Sequence, residues 1–356
     1  MTLLVRPTRR RLLMAAAAVP LAAPMIWSRR AQAAQRLTVR TPGGVFDEVK
    51  KRTVYEPFRE ATGIEIVPVA STAAKLLAMF KAGKVDIDVI DTGDDVLLNL
   101  ERAGALEPMP YQEFKYTNPD DIDPSVRTPY QVGSFVYAFV QGFNTTAFAV
   151  GQEPKSWEQF WDVKKFPGPR TLAGMSSGAP NLEIALIADG VPKDKVYPID
   201  IPRAFKSLSR IKASVPKFWD TGALSSEMLA DKEAVLAVIW STRLQVAAAG
   251  GAKVAAQWRD NQVLAQAYGI TRGTPKHEAG VKFVDYSLSP DVQARWLAEY
   301  KAIPVNQKAY PHTAPQLIDP KTKLPWTKSE GFRNDIVWWA DNRAKVSEYW
   351  NKWVLE

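Results

Sequence analysis

The stretch RLTVRTPGGVFDEVKKRTVYEPFREATGIEIVPVA, Arg36 to Ala70, decides the fold. Arg36-Leu-Thr-Val-Arg40 alternates polar and apolar residues, the period of a strand, and Thr41-Pro-Gly-Gly44 then makes a tight turn. Val45, Val49, Val54 and Phe58 recur at roughly helical spacing up to Thr62, and Gly63 suits the helix end because glycine accepts the left-handed backbone found there. Ile64-Glu-Ile-Val-Pro-Val69 returns to a strand. Strand, helix and strand of these lengths imply a parallel pair with the helix packed on its face.

Outward from this unit the alternation continues, with a helix over Thr72–Ala82, a strand over Asp86–Ile90 and a helix over Asp94–Ala103. A polar stretch, Tyr111 to Pro129, precedes the apolar run Phe135–Val140 and Gln141-Gly-Phe-Asn144. A second series predicts helices over 157–163, 181–189, 202–213, 223–230 and 242–249, with strands over 170–173, 234–239, 253–258 and 263–270. Helices are expected over 276–288, 291–300 and 334–353, and the spacing of Trp338, Trp339, Trp350 and Trp353 in the last reads as core packing. The class is α/β. Ligands of parallel sheets bind beyond the carboxyl ends of the strands, which brings the loops 41–44, 70–71 and 91–95 into view.

Upstream, Leu12 to Trp27 is apolar but short and broken by Pro20 and Pro24, with Arg6, Arg9, Arg10 and Arg11 before it and Ala31-Gln32-Ala33 after it. That is the build of a cleavable export signal over residues 1–33. Thr8-Arg9-Arg10-Arg11-Leu12-Leu13 matches the twin-arginine pattern, so export to the periplasm by that route is expected. Removing the six arginines of the segment takes the net charge from +8 to +2, which argues against nucleic acid as a partner. Zero cysteines exclude a disulfide framework, a thiol nucleophile and thiolate metal sites. Only His277 and His312 are present, leaving little material for a metal site, and no cofactor fingerprint occurs.

Tyr55-Glu-Pro-Phe-Arg-Glu-Ala-Thr-Gly-Ile64, Asp86-Ile-Asp-Val-Ile90, Gly104-Ala-Leu-Glu-Pro108, Gly142-Phe-Asn-Thr145, Pro154-Lys-Ser-Trp-Glu-Gln-Phe-Trp161, Ala237-Val-Ile-Trp-Ser241 and Phe283-Val-Asp-Tyr-Ser-Leu-Ser-Pro-Asp-Val292 follow one another over most of the chain. In this order they resemble the extracellular solute-binding proteins of bacterial ABC importers, of the spermidine/putrescine-binding type. The resemblance implies a two-lobed periplasmic-binding-protein fold, type II, in which two hinge strands cross between the lobes near Val140–Phe143 and Leu264–Gly269. The first lobe would hold residues 36–140 plus 268–356 and the second 143–263. It further implies a monomer without enzymatic activity that captures a small polar solute in the cleft and docks on an inner-membrane permease.

Candidate cleft residues follow from position and chemistry. Trp240 and Arg243 stand where a second-lobe strand gives way to a helix, and an indole face with a guanidinium can hold a carboxylate-bearing solute. Trp219 offers a second wall, and Asp220 either meets an ammonium or caps the next helix. Ser176 and Ser177 supply hydroxyls at a turn. On the first lobe the candidates are the amides of Gly43 and Gly44, with Ser71, Asp91, Thr92, Asp94 and Tyr268.

Gly174-Met-Ser-Ser-Gly178 also matches the nucleophile-elbow pattern, so a secreted serine hydrolase using Ser176 is the alternative, and it needs His277 or His312 to reach that serine. An iron-binding relative would favour paired tyrosines, and the chain has no adjacent pair. Arg243 suits a polyamine poorly, because a cleft guanidinium repels a cation. A solute with a carboxylate and an amine, such as an amino acid or a γ-aminobutyrate-like compound, fits Arg243 with Asp91 or Asp94 better.

Overall fold

Nine strands form one mixed sheet in the computed structural model, which describes residues 35–356 except 72, 84–85, 150 and 179 and the side chains of 73, 74 and 77. The expected signal segment 1–33 lies outside the described residues. The strands are β1 (Arg36–Thr41), β2 (Glu65–Ala70), β3 (Val89–Gly93), β4 (Leu106–Glu107), β5 (Val132–Asn144), β6 (Arg170–Thr171), β7 (Leu236–Trp240), β8 (Val254–Thr271) and β9 (Phe332–Arg333). The main path runs β2-β1-β3-β8-β5-β7-β6.

β1 pairs in parallel with both β2 and β3, as the opening stretch requires, and it buries Leu37, Val39 and Thr41 on alternate positions. The helical run after the turn passes through Val45–Lys50, a π-helical turn Lys51–Tyr55 and Glu56–Thr62, and Gly63 closes it at φ 75°. β3 starts three residues later than expected, at Val89, so Asp88 precedes the strand and Asp91, Thr92 and Gly93 lie within it.

The two strands expected over 253–258 and 263–270 are a single strand of 18 residues, β8. The polar residues Asp260 and Asn261 hid its continuity, and Asp260 takes φ 50° where the pairing with β5 shifts register after Phe139. β5 and β8 run antiparallel through the middle of the sheet. At one end β8 joins β3, and at the other β5 joins β7. These are the two crossover strands, and the fold is the two-lobed α/β type.

One apolar core gathers around β1, β3 and the helices near 283 and 296, through Leu37, Val39, Phe58, Phe283 and Trp296, and it continues under the sheet to Ile239 and Leu244. A second is built from Trp157, Phe160, Leu186, Phe205, Trp219 and Val238. The C-terminal helix Ile336–Trp353, which the sequence groups with the first lobe, buries Trp339, Val346, Trp350 and Trp353 in this second core. The chain enters this helix from β9, which pairs with β8 at Gln262 and Val263. Each such apolar side chain contributes roughly 1.5–3 kcal/mol on burial, more than a typical exposed ion pair at roughly 0.2–1 kcal/mol. The arm is therefore held to the second lobe by its tryptophans.

Candidate functional site

A cavity of about 100 Å³ lies between the lobes. It is lined by the end of β3 (Gly93, Asp94, Asp95), by Tyr137 and Phe139 of β5, by Trp240 at the end of β7, and by Ser177, Gly178, Trp339 and Arg343. Strand alternation puts Tyr137 and Phe139 on the same face of β5, and their rings meet Trp240 at centroid distances of 6.1 and 6.2 Å. A larger cavity of about 400 Å³ adjoins it on the far side of an ion pair between Asp94 and Arg333.

The expected second-lobe residues divide into cleft and core. Trp240 borders the cavity, and its indole N–H is buried without an acceptor. Arg243, in the helix that follows, lines neither cavity; it is half-buried and has no hydrogen bond or ion pair among the described residues. It lies within electrostatic reach of Tyr300, whose phenol is pushed up by burial and pulled back by this guanidinium. Gly222 lets these side chains approach: a Cβ there would stand 2.8 Å from Trp240 Cε3 and 2.9 Å from Arg243 Nε. Trp219 is not a wall of the cleft. It is fully buried behind Trp240, 5.1 Å between ring centroids, and donates its indole N–H to the Val238 carbonyl at 2.8 Å. Asp220 is exposed, and the following helix is capped instead by Thr221, which accepts from Leu224 N.

Ser177 lines the cavity and donates to the Gly174 carbonyl at 2.7 Å. Ser176 is exposed in a 3-10 turn and has no histidine hydrogen-bonded to it among the described residues, so the elbow pattern lacks its base.

On the first lobe the correction is larger. Asp91 is wholly buried and pairs with Lys50 at 2.6 Å, while Ser134 donates to its other oxygen at 3.2 Å. Lys50 Nζ also donates to the Tyr268 hydroxyl at 2.6 Å and stands 4.6–4.8 Å from the ring centroids of Phe46, Tyr268 and Trp296. Burial pulls Lys50 down, but Asp91 and Tyr268 outweigh it and leave the amine above its ordinary value. Asp91 and Tyr268 are therefore structural, because their polar atoms are consumed by a lysine that the helical run carries inward. Thr92 is buried within β3, and the Ser71 carbonyl accepts from Arg40 Nε at 2.8 Å. Gly43 and Gly44 take φ 83° and 61°, the turn conformation that needs glycine.

Asp94 and Asp95 stand in the first turn of the helix Asp94–Arg102, where the helix dipole favours acids, but neither side chain caps it. Asp94 pairs with Arg333, and Asp95 with Arg343 at 2.9 Å. Burial pushes Asp94 up to about 6, against the pull of Arg333. The raised value has a defined sign: the stabilising share of Asp94 is full below the ordinary carboxylate range and is lost as pH rises through about 6. Denaturant unfolding of the parent and of Asp94→Asn is expected to show the parent gaining relative stability from pH 7 to pH 4, with no further change above about 7. A constant difference across that range would count against the raised value.

Sequence reasoning missed Tyr137, Phe139, Asp95, Arg333 and Arg343 as cleft residues. The alternation of Phe135, Tyr137 and Phe139 was a usable signal for the first two. No local pattern could announce Arg343, which reaches Asp95 across 248 positions.

The fold and the interlobe cavity define a solute-binding protein of the two-lobed type. Residues 53–324 match the family of bacterial extracellular solute-binding proteins, and the chain belongs to that family. It is 28% identical to the γ-aminobutyric acid-binding protein of Pseudomonas aeruginosa over 90% of this chain and 91% of that one. A solved GABA receptor structure is 32% identical, with a TM-score of 0.78, over 90% of this chain and 97% of that one. An ABC transporter substrate-binding protein from Bradyrhizobium japonicum superposes with a TM-score of 0.79 at 28% identity, over 90% and 99%. The protein is the substrate-binding component of an ABC transporter and not an enzyme.

Proposed function

We propose that the solute is a small amino acid carrying both charges, of the γ-aminobutyrate kind, whose carboxylate is held by Arg243 beside Trp240. The observation that carries this reading is the guanidinium of Arg243, without a partner among the described residues, at the carboxyl end of β7. Charge in the cleft supports it. Asp94 and Asp95 are already met by Arg333 and Arg343, so the cavity offers no unpaired acid to a polyamine's ammonium groups among the described residues. The amine would compete for Asp94 or Asp95. Two relatives whose names carry GABA point the same way.

The same reading places the mature protein in the periplasm as a monomer, delivered by the twin-arginine signal and docking on an inner-membrane permease. Calorimetric titration with γ-aminobutyrate, putrescine and spermidine tests the solute. Heat from γ-aminobutyrate with none from the polyamines is expected, and tight putrescine binding alone would return the protein to the polyamine type.

A further inference from the structure

The C-terminal arm grips the first lobe with charge while it is rooted in the second. Arg333 pairs with Asp94, Arg343 pairs with Asp95 at 2.9 Å, and Asp341 pairs with Arg102 at 2.7 Å. The three first-lobe partners all belong to the helix Asp94–Arg102. At its root the arm has Trp339 donating to Glu183 at 2.6 Å and Trp353 donating to Ser209 at 2.7 Å, besides its apolar burial. Arg343 also donates to the Gly178 carbonyl of the second lobe. Each charge on the helix, acid at Asp94 and Asp95 and base at Arg102, meets its opposite on the arm.

Arg102 and Asp341 are 41% and 56% exposed, whereas Trp339 and Trp353 are buried. When the lobes part, the exposed Arg102–Asp341 pair gives way before the buried root does. We propose that these three ion pairs form a latch between the lobes, which shifts the open–closed balance toward the closed form and slows solute escape. The outer pair, Arg102 with Asp341, lies off the cavity lining and is independent of which solute the cleft takes. The hallmark of the latch is electrostatic: it weakens with ionic strength, as hinge packing does not.

The outer pair offers a test away from the cleft. The chain has no cysteine, so Glu60→Cys and Lys195→Cys, one exposed position on each lobe, accept a donor and an acceptor dye without background. In the ligand-free protein Asp341→Arg, which faces Arg102 with a like charge, is expected to raise the open-to-closed ratio about two- to fivefold. Release of γ-aminobutyrate, measured by stopped flow, should quicken by the same factor. Combining it with Arg102→Asp restores the parent ratio, and in about 1 M salt, where screening reaches about 3 Å, parent and variant converge. The milder Asp341→Asn keeps the test open if the reversal perturbs folding. An unchanged dye distance in a variant that melts with the parent, or a swap that fails to restore it, overturns the latch. Because the dye distance is read without solute, failure of γ-aminobutyrate to bind leaves the latch result intact and counts only against the solute reading.

Discussion

Arg243→Ala weakens γ-aminobutyrate binding by about thirtyfold or more while leaving the protein as stable as the parent. The first half follows, on the proposed reading, from the cost of removing one partner of a hydrogen-bonded charge pair, about 2–5 kcal/mol. The second half follows from the structure. Arg243 is half-buried and makes no hydrogen bond or ion pair among the described residues, so its loss costs the fold within about 0.5 kcal/mol. Arg243→Lys should recover part of the affinity, because a lysine keeps the charge and loses the planar fork that meets both carboxylate oxygens. Calorimetric titration and a thermal melt on the same samples separate the two effects. Undiminished binding in the alanine variant would remove Arg243 from the solute's contacts, and a large drop in melting temperature would mean that its role is structural.

Lys50→Met has the opposite signature, with a large loss of stability and no direct loss of a solute contact. Lys50 and Asp91 are both fully buried, and removing the lysine leaves the Asp91 carboxylate, among the described residues, with one hydrogen bond from Ser134 and the more distant charge of Arg40. Breaking one side of such a pair costs about 3–5 kcal/mol. The thioether replacement keeps the apolar stem among Phe46, Tyr268 and Trp296, so the cost reports the charge and not a cavity. Adding Asp91→Asn removes the stranded charge, and the double variant should regain much of the loss. Guanidinium unfolding of the four proteins gives the coupling directly. Singles that cost under about 1 kcal/mol, or a double variant that only sums them, would show that the pair is not the keystone of this core.

These two residues mark what the sequence made legible. Trp240-Ser-Thr-Arg243 follows a strongly apolar strand and opens a helix, so local pattern alone put Arg243 at a carboxyl end, where ligands sit. Asp91 also lies at a strand's end, but its fate depends on Lys50, 41 positions earlier, and on Tyr268, 218 positions from that lysine. A lysine in an amphipathic helix reads as a solvated face, and only the packed aromatic rings around it reveal otherwise. The order of strands and helices was legible because each follows from short-range periodicity. The single β8 strand was not, since Asp260 and Asn261 interrupt its apolar run, and neither was the return of the last helix, whose tryptophans pack on residues more than 100 positions earlier.

That return governs how the chain can be made. β8 fills the sheet between β3 and β5, and the helix Ile336–Trp353 supplies four residues of the second core. Neither lobe can complete its interior from its own early sequence. A nascent chain emerging from the ribosome has the first lobe waiting for residues 254–271 and the second waiting for residue 353. Contacts so distant along the chain form slowly, so the interiors of the two lobes close late and depend on each other's segments.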